Sequence, residues 1–284
     1  MHNLPKLGAA MTLALALANA NASPAFLINP NSNGGALTNG GQTFRATAIN
    51  GISSHRISYS GNPLLAAGAG ATYVSKGYVT FDSFSDNGMP VSAGRSRANL
   101  DYGLYGTFQT TFHCNSLLGH GVGCQITNFD FDMYADPGAD NIYHAATLAA
   151  DGWVDTFGQQ YKLAHSSHAV RHGLGGLNEL GGAFVNLNFG WTLTDEGKAY
   201  FIDPVPFYSA AFSASNNTSL GILCDTANCA DARIVAISSI SGIQDFNGIP
   251  EPGALCLFGL GLMALRVSPR LTLRKGLSRQ ASPN

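Results

Sequence analysis

Between residues 128 and 134 the side chains alternate, with Phe129, Phe131 and Met133 on one side and Asp130 and Asp132 on the other. A period of two belongs to an extended strand with one buried and one solvated face. The same period recurs over 102–112, where Tyr102, Leu104, Gly106, Phe108, Thr110 and Phe112 share a side. Residues 72–81 and 183–191 are rich in aromatic and β-branched types, and 232–243 carries Val, Ile and Ser suited to a pair of strands. Turn-forming clusters separate these runs at 31–41, 85–88, 136–138 and 213–219. Many short strands joined by polar turns predict an all-β fold, an antiparallel β-sandwich of jelly-roll type. Helical signal is confined to one or two turns at 144–151 or 194–200.

Composition narrows the classes of function. Charged residues make up 11% of the chain and apolar ones 45%, so the chain has enough apolar surface for a core and is not intrinsically disordered. Between Ser23 and Ile249, nine Lys and Arg face sixteen Asp and Glu, a net of −7. An acidic domain cannot capture nucleic acid electrostatically, which requires clustered Lys and Arg. Asp outnumbers Glu, as expected where turns are frequent, because Asp bonds its own backbone there.

The two ends read as processing signals. Residues 1–22 combine Lys6, a short apolar stretch over 7–17 and small residues up to Ala22, the pattern of a helical secretory signal peptide. The domain is expected over 23–249. The tail, 250–284, opens with Pro250-Glu251-Pro252, continues through an uncharged run at 253–265 and then carries Arg266, Arg270, Arg274, Lys275 and Arg279. As a helix that run spans about 20 Å, short of the roughly 30 Å hydrocarbon layer, so it predicts a short and marginal membrane helix. The basic residues after it would hold this end in the cytoplasm.

Pro250-Glu251-Pro252, the run Gly259-Leu260-Gly261-Leu262 and the basic stop at Arg266 and Arg270 resemble the PEP-CTERM sorting tail that exosortase recognises. The resemblance implies signal peptidase and exosortase as partners, transient anchoring in the inner membrane, and delivery to the cell surface or extracellular matrix. The domain itself resembles the flocculation-associated PEP-CTERM proteins. The segments that carry this are 26–30, Tyr102-Gly103-Leu104-Tyr105-Gly106-Thr107-Phe108, 193–201 running into Pro206-Phe207-Tyr208, and the Asp136-Pro137 turn. That family implies floc or biofilm formation with exopolysaccharide and no catalytic residue.

Four of the five Cys fall in the domain, and an exported domain permits disulfides among them. Three pairings are possible. The local one, Cys114–Cys124 and Cys224–Cys229, is the simplest. Cys256 lies in the apolar run of the tail.

Asp130, Asp132, Asp136 and Asp140, with Asn141, form the best candidate for Ca²⁺, which takes six to eight oxygen ligands; otherwise no cofactor is expected. His165, His168 and His172 would share a face on a helix, but the Ser and Gly around them predict a solvated loop. Glu179 and Glu196 are the only Glu of the domain, and neither a Gly-x-Ser-x-Gly elbow nor a His-Glu-x-x-His pair occurs. The sequence therefore reads as a non-enzymatic exported protein that partners extracellular polysaccharide. A carbohydrate-binding module and an extracellular carbohydrate-active enzyme are the alternatives. Exposed Tyr or Trp rings would stack on sugars, whereas buried ones would serve the core.

Overall fold

The computed structural model describes residues 24–61, 70–216 and 220–247. The expected signal peptide (1–22) and sorting tail (250–284), with Pro250, Glu251, Pro252, Cys256, Arg266 and Arg270, lie outside the described residues. Among the described residues, no helix is long and apolar enough to cross a membrane.

The domain is all-β and antiparallel, as the period-two runs require. Eight long or medium strands dominate: β3 (Ala48–Tyr59), β4 (Ala71–Asp86), β6 (Tyr102–Cys114), β7 (Gly123–Pro137), β10 (Tyr161–Leu177), β11 (Ala183–Leu193), β13 (Ala210–Asn216) and β15 (Ile234–Asn247). Short strands fill the gaps in chain order: β1 (Phe26–Ile28), β2 (Phe44–Ala46), β5 (Met89–Pro90), β8 (Ile142–His144), β9 (Trp153–Asp155), β12 (Phe201–Asp203) and β14 (Ile222–Cys224). Among the described residues helix is limited to single turns at α1 (Ser32–Gly35) and α2 (Ala93–Ser96), to α3 (Asp195–Tyr200) and to a 3-10 turn at Ala227–Cys229.

The sequence predicts two packed sheets; the hydrogen-bond ladder runs instead as one ring. Its order is β13-β11-β10-β7-β6-β4-β3-β15, and β15 pairs back onto β13 through Ala210↔Asn247 to Ser215↔Gly242. A closed ring leaves none of these strands with an unpaired edge. Strand length makes closure possible. β15 is a single 14-residue strand, not the expected pair, with a register shift between Ile237 and Ile240. Val235 to Ile237 pair with β14 and Gly242 to Asn247 with β13, so one strand serves two neighbours on the same side. Residues 213–216, expected in a turn, are part of β13 and complete the ring.

Alternation places aromatic side chains inside. Phe129, Phe131 and Met133 of β7 are buried, and so are Phe189 and Trp191 of β11. Phe129 lies 4.8 Å from Phe189, and Phe131 stacks on Trp191 at 5.9 Å. Gly106 on β6 accommodates the Phe131 ring, since a Cβ there would sit 2.2 Å from Phe131 Cε2. One end of the barrel is closed by the small sheet β12-β1-β2 and by α3. Phe26, Phe201, Phe207 and Phe246 form edge-to-face contacts there. The Thr194 hydroxyl accepts from the Gly197 N–H at 3.0 Å, so the expected 194–200 turn is a capped helix. Residues 144–151 are not helical.

At the other end Cys114 and Cys124 face each other across β6 and β7 and are bonded, as are Cys224 and Cys229. The local pairing is therefore the one formed, and two disulfides suit an oxidising compartment. The buried Tyr73 hydroxyl accepts from Leu118 N–H (2.9 Å) and donates to the Ala232 carbonyl (2.7 Å), tying two loops across this end.

Candidate functional site

The outer face of the barrel carries a groove that combines charged side chains of both signs with an exposed aromatic ring. Its floor is a set of outward positions on β4, β6, β7 and β10, bordered by Arg56 of β3. In one row Arg56, Lys76, Gln109 and Asp130 are successive cross-strand partners. In the next row Thr107, Asp132 and His165 are partners. Strands lie about 4.8 Å apart, so each row is a line of regularly spaced polar groups. Lys162 adds a cation beside Asp132, at 2.7 Å. The groove has a volume of about 870 Å³ and is walled by Asp151, Gly152, Trp153 and Val154.

Trp153 is the aromatic wall. It is 45% exposed, and one face of its indole stacks on the His144 ring at 4.3 Å and 9°. His144 Nε2 in turn lies 2.8 Å from Asp155 Oδ2 across the β8–β9 ladder. The segment bearing the wall is fastened to the barrel at several points. Ser54 Oγ accepts from Ala146 N–H (2.9 Å) and donates to the Ile237 carbonyl (3.1 Å). Arg56 pairs with Asp151 at 3.1 Å. Tyr78, Tyr105, Tyr134 and Tyr143 pack together beneath it. Burial pushes the Tyr143 phenol up to about 12, so this layer is neutral.

Asp136 is a further anchor. It is fully buried, and its carboxylate accepts from Asn141 N–H and Gln160 Nε2, both at 3.2 Å. Asn141 Oδ1 accepts from Phe157 N–H at 2.9 Å, which extends the brace across the segment. Burial raises the Asp136 carboxyl above its ordinary value, partly offset by these donors.

The four Asp proposed for Ca²⁺ therefore have separate surroundings. Asp130 and Asp132 lie in the groove, Asp136 holds the wall in place, and Asp140 is exposed in the following turn. Among the described residues no group of three or more His, Cys, Asp or Glu side chains is arranged to hold a metal ion. Residues 165–172 belong to strand β10, not to a loop, so the shared helical face of three histidines does not form. Of these, His165 lines the groove; the side chains of His168 and His172 lie outside the described ones. The two Trp divide: Trp191 is core at 3% exposure and Trp153 is surface. Reasoning from sequence missed Trp153, Gln109 and Lys76. The outward phase of β4 and β6 carried the signal for the last two, and only the cross-strand register aligns them with Asp130.

A second concavity lies inside the ring. It has a volume of about 60 Å³ and mixes Phe108, Phe112 and Phe129 with Ser53, His55, Ser75, Thr110, Ser213 and Gln244. His55 Nδ1, Ser75 Oγ and Gln244 Nε2 are buried with no hydrogen-bond partner among the described residues. Burial pushes the His55 imidazole down to about 4 from 6.5, so it is neutral at pH 7. The volume suits ordered water or a guest of a few heavy atoms.

Comparison with protein-family models, with curated proteins and with solved structures gives no match.

Proposed function

We propose that this chain is an exported, non-catalytic surface or matrix protein that works by associating with extracellular polysaccharide in flocs or biofilm. The observation that carries the reading is the outer groove, in which the exposed Trp153 ring stands over rows of polar side chains. A ring face beside hydrogen-bonding groups suits a sugar, whose C–H faces are apolar and whose edges are hydroxylated. The groove carboxylates also favour binding over hydrolysis. Asp132 and Asp151 are each ion-paired, to Lys162 and Arg56, so the oxygens of both are already engaged by cations of this chain. The sorting tail at Pro250-Glu251-Pro252 supplies the route, with signal peptidase, exosortase and a brief stay in the inner membrane as its steps.

A floc assay tests both halves. Deleting the gene is expected to weaken flocs, and a chain ending before Pro250 is expected not to restore them. Normal flocs in the deletion strain would remove the adhesive role. Full restoration by the tail-less chain would remove the sorting role.

A further inference from the structure

We infer that the groove takes a neutral glycan, a chain of sugars without carboxylate or sulfate groups; this rests on the polysaccharide reading above. The first ground is charge. The acids of the groove and its rim are Asp130, Asp132 and Asp151, and three cations stand among them. Arg56 meets Asp151 at 3.1 Å and Lys162 meets Asp132 at 2.7 Å. Lys76 and Asp130 flank Gln109 in one cross-strand row. The groove is thus balanced, and it sits on a domain whose net charge is −7. A polyuronate or sulfated polymer would meet repulsion at long range and no surplus of cations on arrival.

The second ground is the order of donors and acceptors. Along that row Lys76 only donates, Gln109 does both and Asp130 only accepts. A sugar hydroxyl also donates and accepts, so it satisfies neighbours of either kind. A carboxylate or sulfate accepts only, and would face Asp130 with nothing to offer it. The third ground is the ring. His144 covers one face of Trp153, and the exposed remainder borders the groove. That surface suits the C–H face of an uncharged pyranose.

The test is affinity electrophoresis of the full chain through gels containing a soluble β-glucan, mannan or galactan, against gels containing polygalacturonate. At least one neutral polymer is expected to retard the protein, with retardation unchanged between about 0.05 and 0.5 M salt, since screening touches only charge–charge binding. Trp153→Ala is expected to weaken that binding roughly tenfold, about the worth of one stacked aromatic, with an unchanged circular dichroism spectrum. Gln109→Ala should weaken it too. Salt-sensitive retardation by polygalacturonate alone would overturn the neutral class and leave the polysaccharide reading standing. Retardation by none of the polymers would overturn both. Binding that Trp153→Ala and Gln109→Ala leave intact would overturn this groove as the site.

Discussion

The phenol oxygens of Tyr102 and Tyr200 lie 2.9 Å apart, buried, although 98 residues separate them in the chain. Tyr102 donates to the Ser96 carbonyl at 3.1 Å, which leaves Tyr200 to donate to Tyr102. The pair joins the start of β6 to the end of α3 at the end of the barrel that the small sheet and α3 close. Burial raises both phenols, so neither ionises in the neutral range.

Tyr102→Phe removes a hydroxyl that both gives and takes, and it strands the Ser96 carbonyl and the Tyr200 hydroxyl. The expected loss is about 2–3 kcal/mol in urea unfolding. Tyr200→Phe removes a donor only and should cost about 1 kcal/mol. The double variant should cost less than the sum, because both changes break the same bond. Strict additivity would mean that the two hydroxyls act independently.

Reduction should lower stability through two separate loops. Chain-entropy arguments give about 3 kcal/mol for Cys114–Cys124 and about 2 kcal/mol for Cys224–Cys229. Melting curves of Cys114→Ser/Cys124→Ser and of Cys224→Ser/Cys229→Ser, with and without reductant, separate the two contributions. Each variant should lose sensitivity to reductant only for its own bridge.

His55 makes folding sensitive to mild acid. Its imidazole is neutral in the barrel down to about pH 4, and among the described residues no carboxylate lines the cavity beside it. Below pH 6.5 the unfolded chain takes up a proton that the folded one refuses. Stability is therefore full above that pH and falls toward pH 4, by roughly 3 kcal/mol across the window. His55→Leu should flatten that part of the stability profile. An unchanged slope between pH 6.5 and 4 would show that another group is responsible.

Asp136→Ala should free the wall of the groove without altering any groove side chain. The variant loses acceptors for Asn141 and Gln160, so cleavage by a protease within 138–160 should speed up. In a Trp191→Phe background the fluorescence comes from Trp153 alone, and its maximum should shift. An unchanged emission and cleavage rate would mean that Ser54 and Arg56 hold the segment by themselves.

The strands at 72–81, 102–112, 128–134 and 183–191 were legible because each buries one face, and burial imposes the period of two. β3 was not legible, since Gly51, Ser53 and His55 put small or polar residues where the inward face should read as apolar. Ring closure was equally hidden. It depends on which edges meet at Ala210 and Asn247, and no local pattern encodes that pairing. Of the groove, Asp130 and Asp132 stood out in the sequence as alternating acids. Trp153 did not, because a short strand between loops shows no period. The simplest disulfide pairing was readable because both loops are short; β6 and β7 bring Cys114 and Cys124 opposite each other.

A polymer-forming surface protein commonly grows by adding the strand of one copy to the open edge of the next. The ring of eight strands denies that route to the long strands, because each already meets a neighbour on both sides within the same molecule. In the proposed matrix role, cohesion through the long strands would then pass through their side chains and through polymer held between copies. The mesh would soften when the sugar is digested, and chaotropes that dissolve cross-β fibres would not be needed to disperse it.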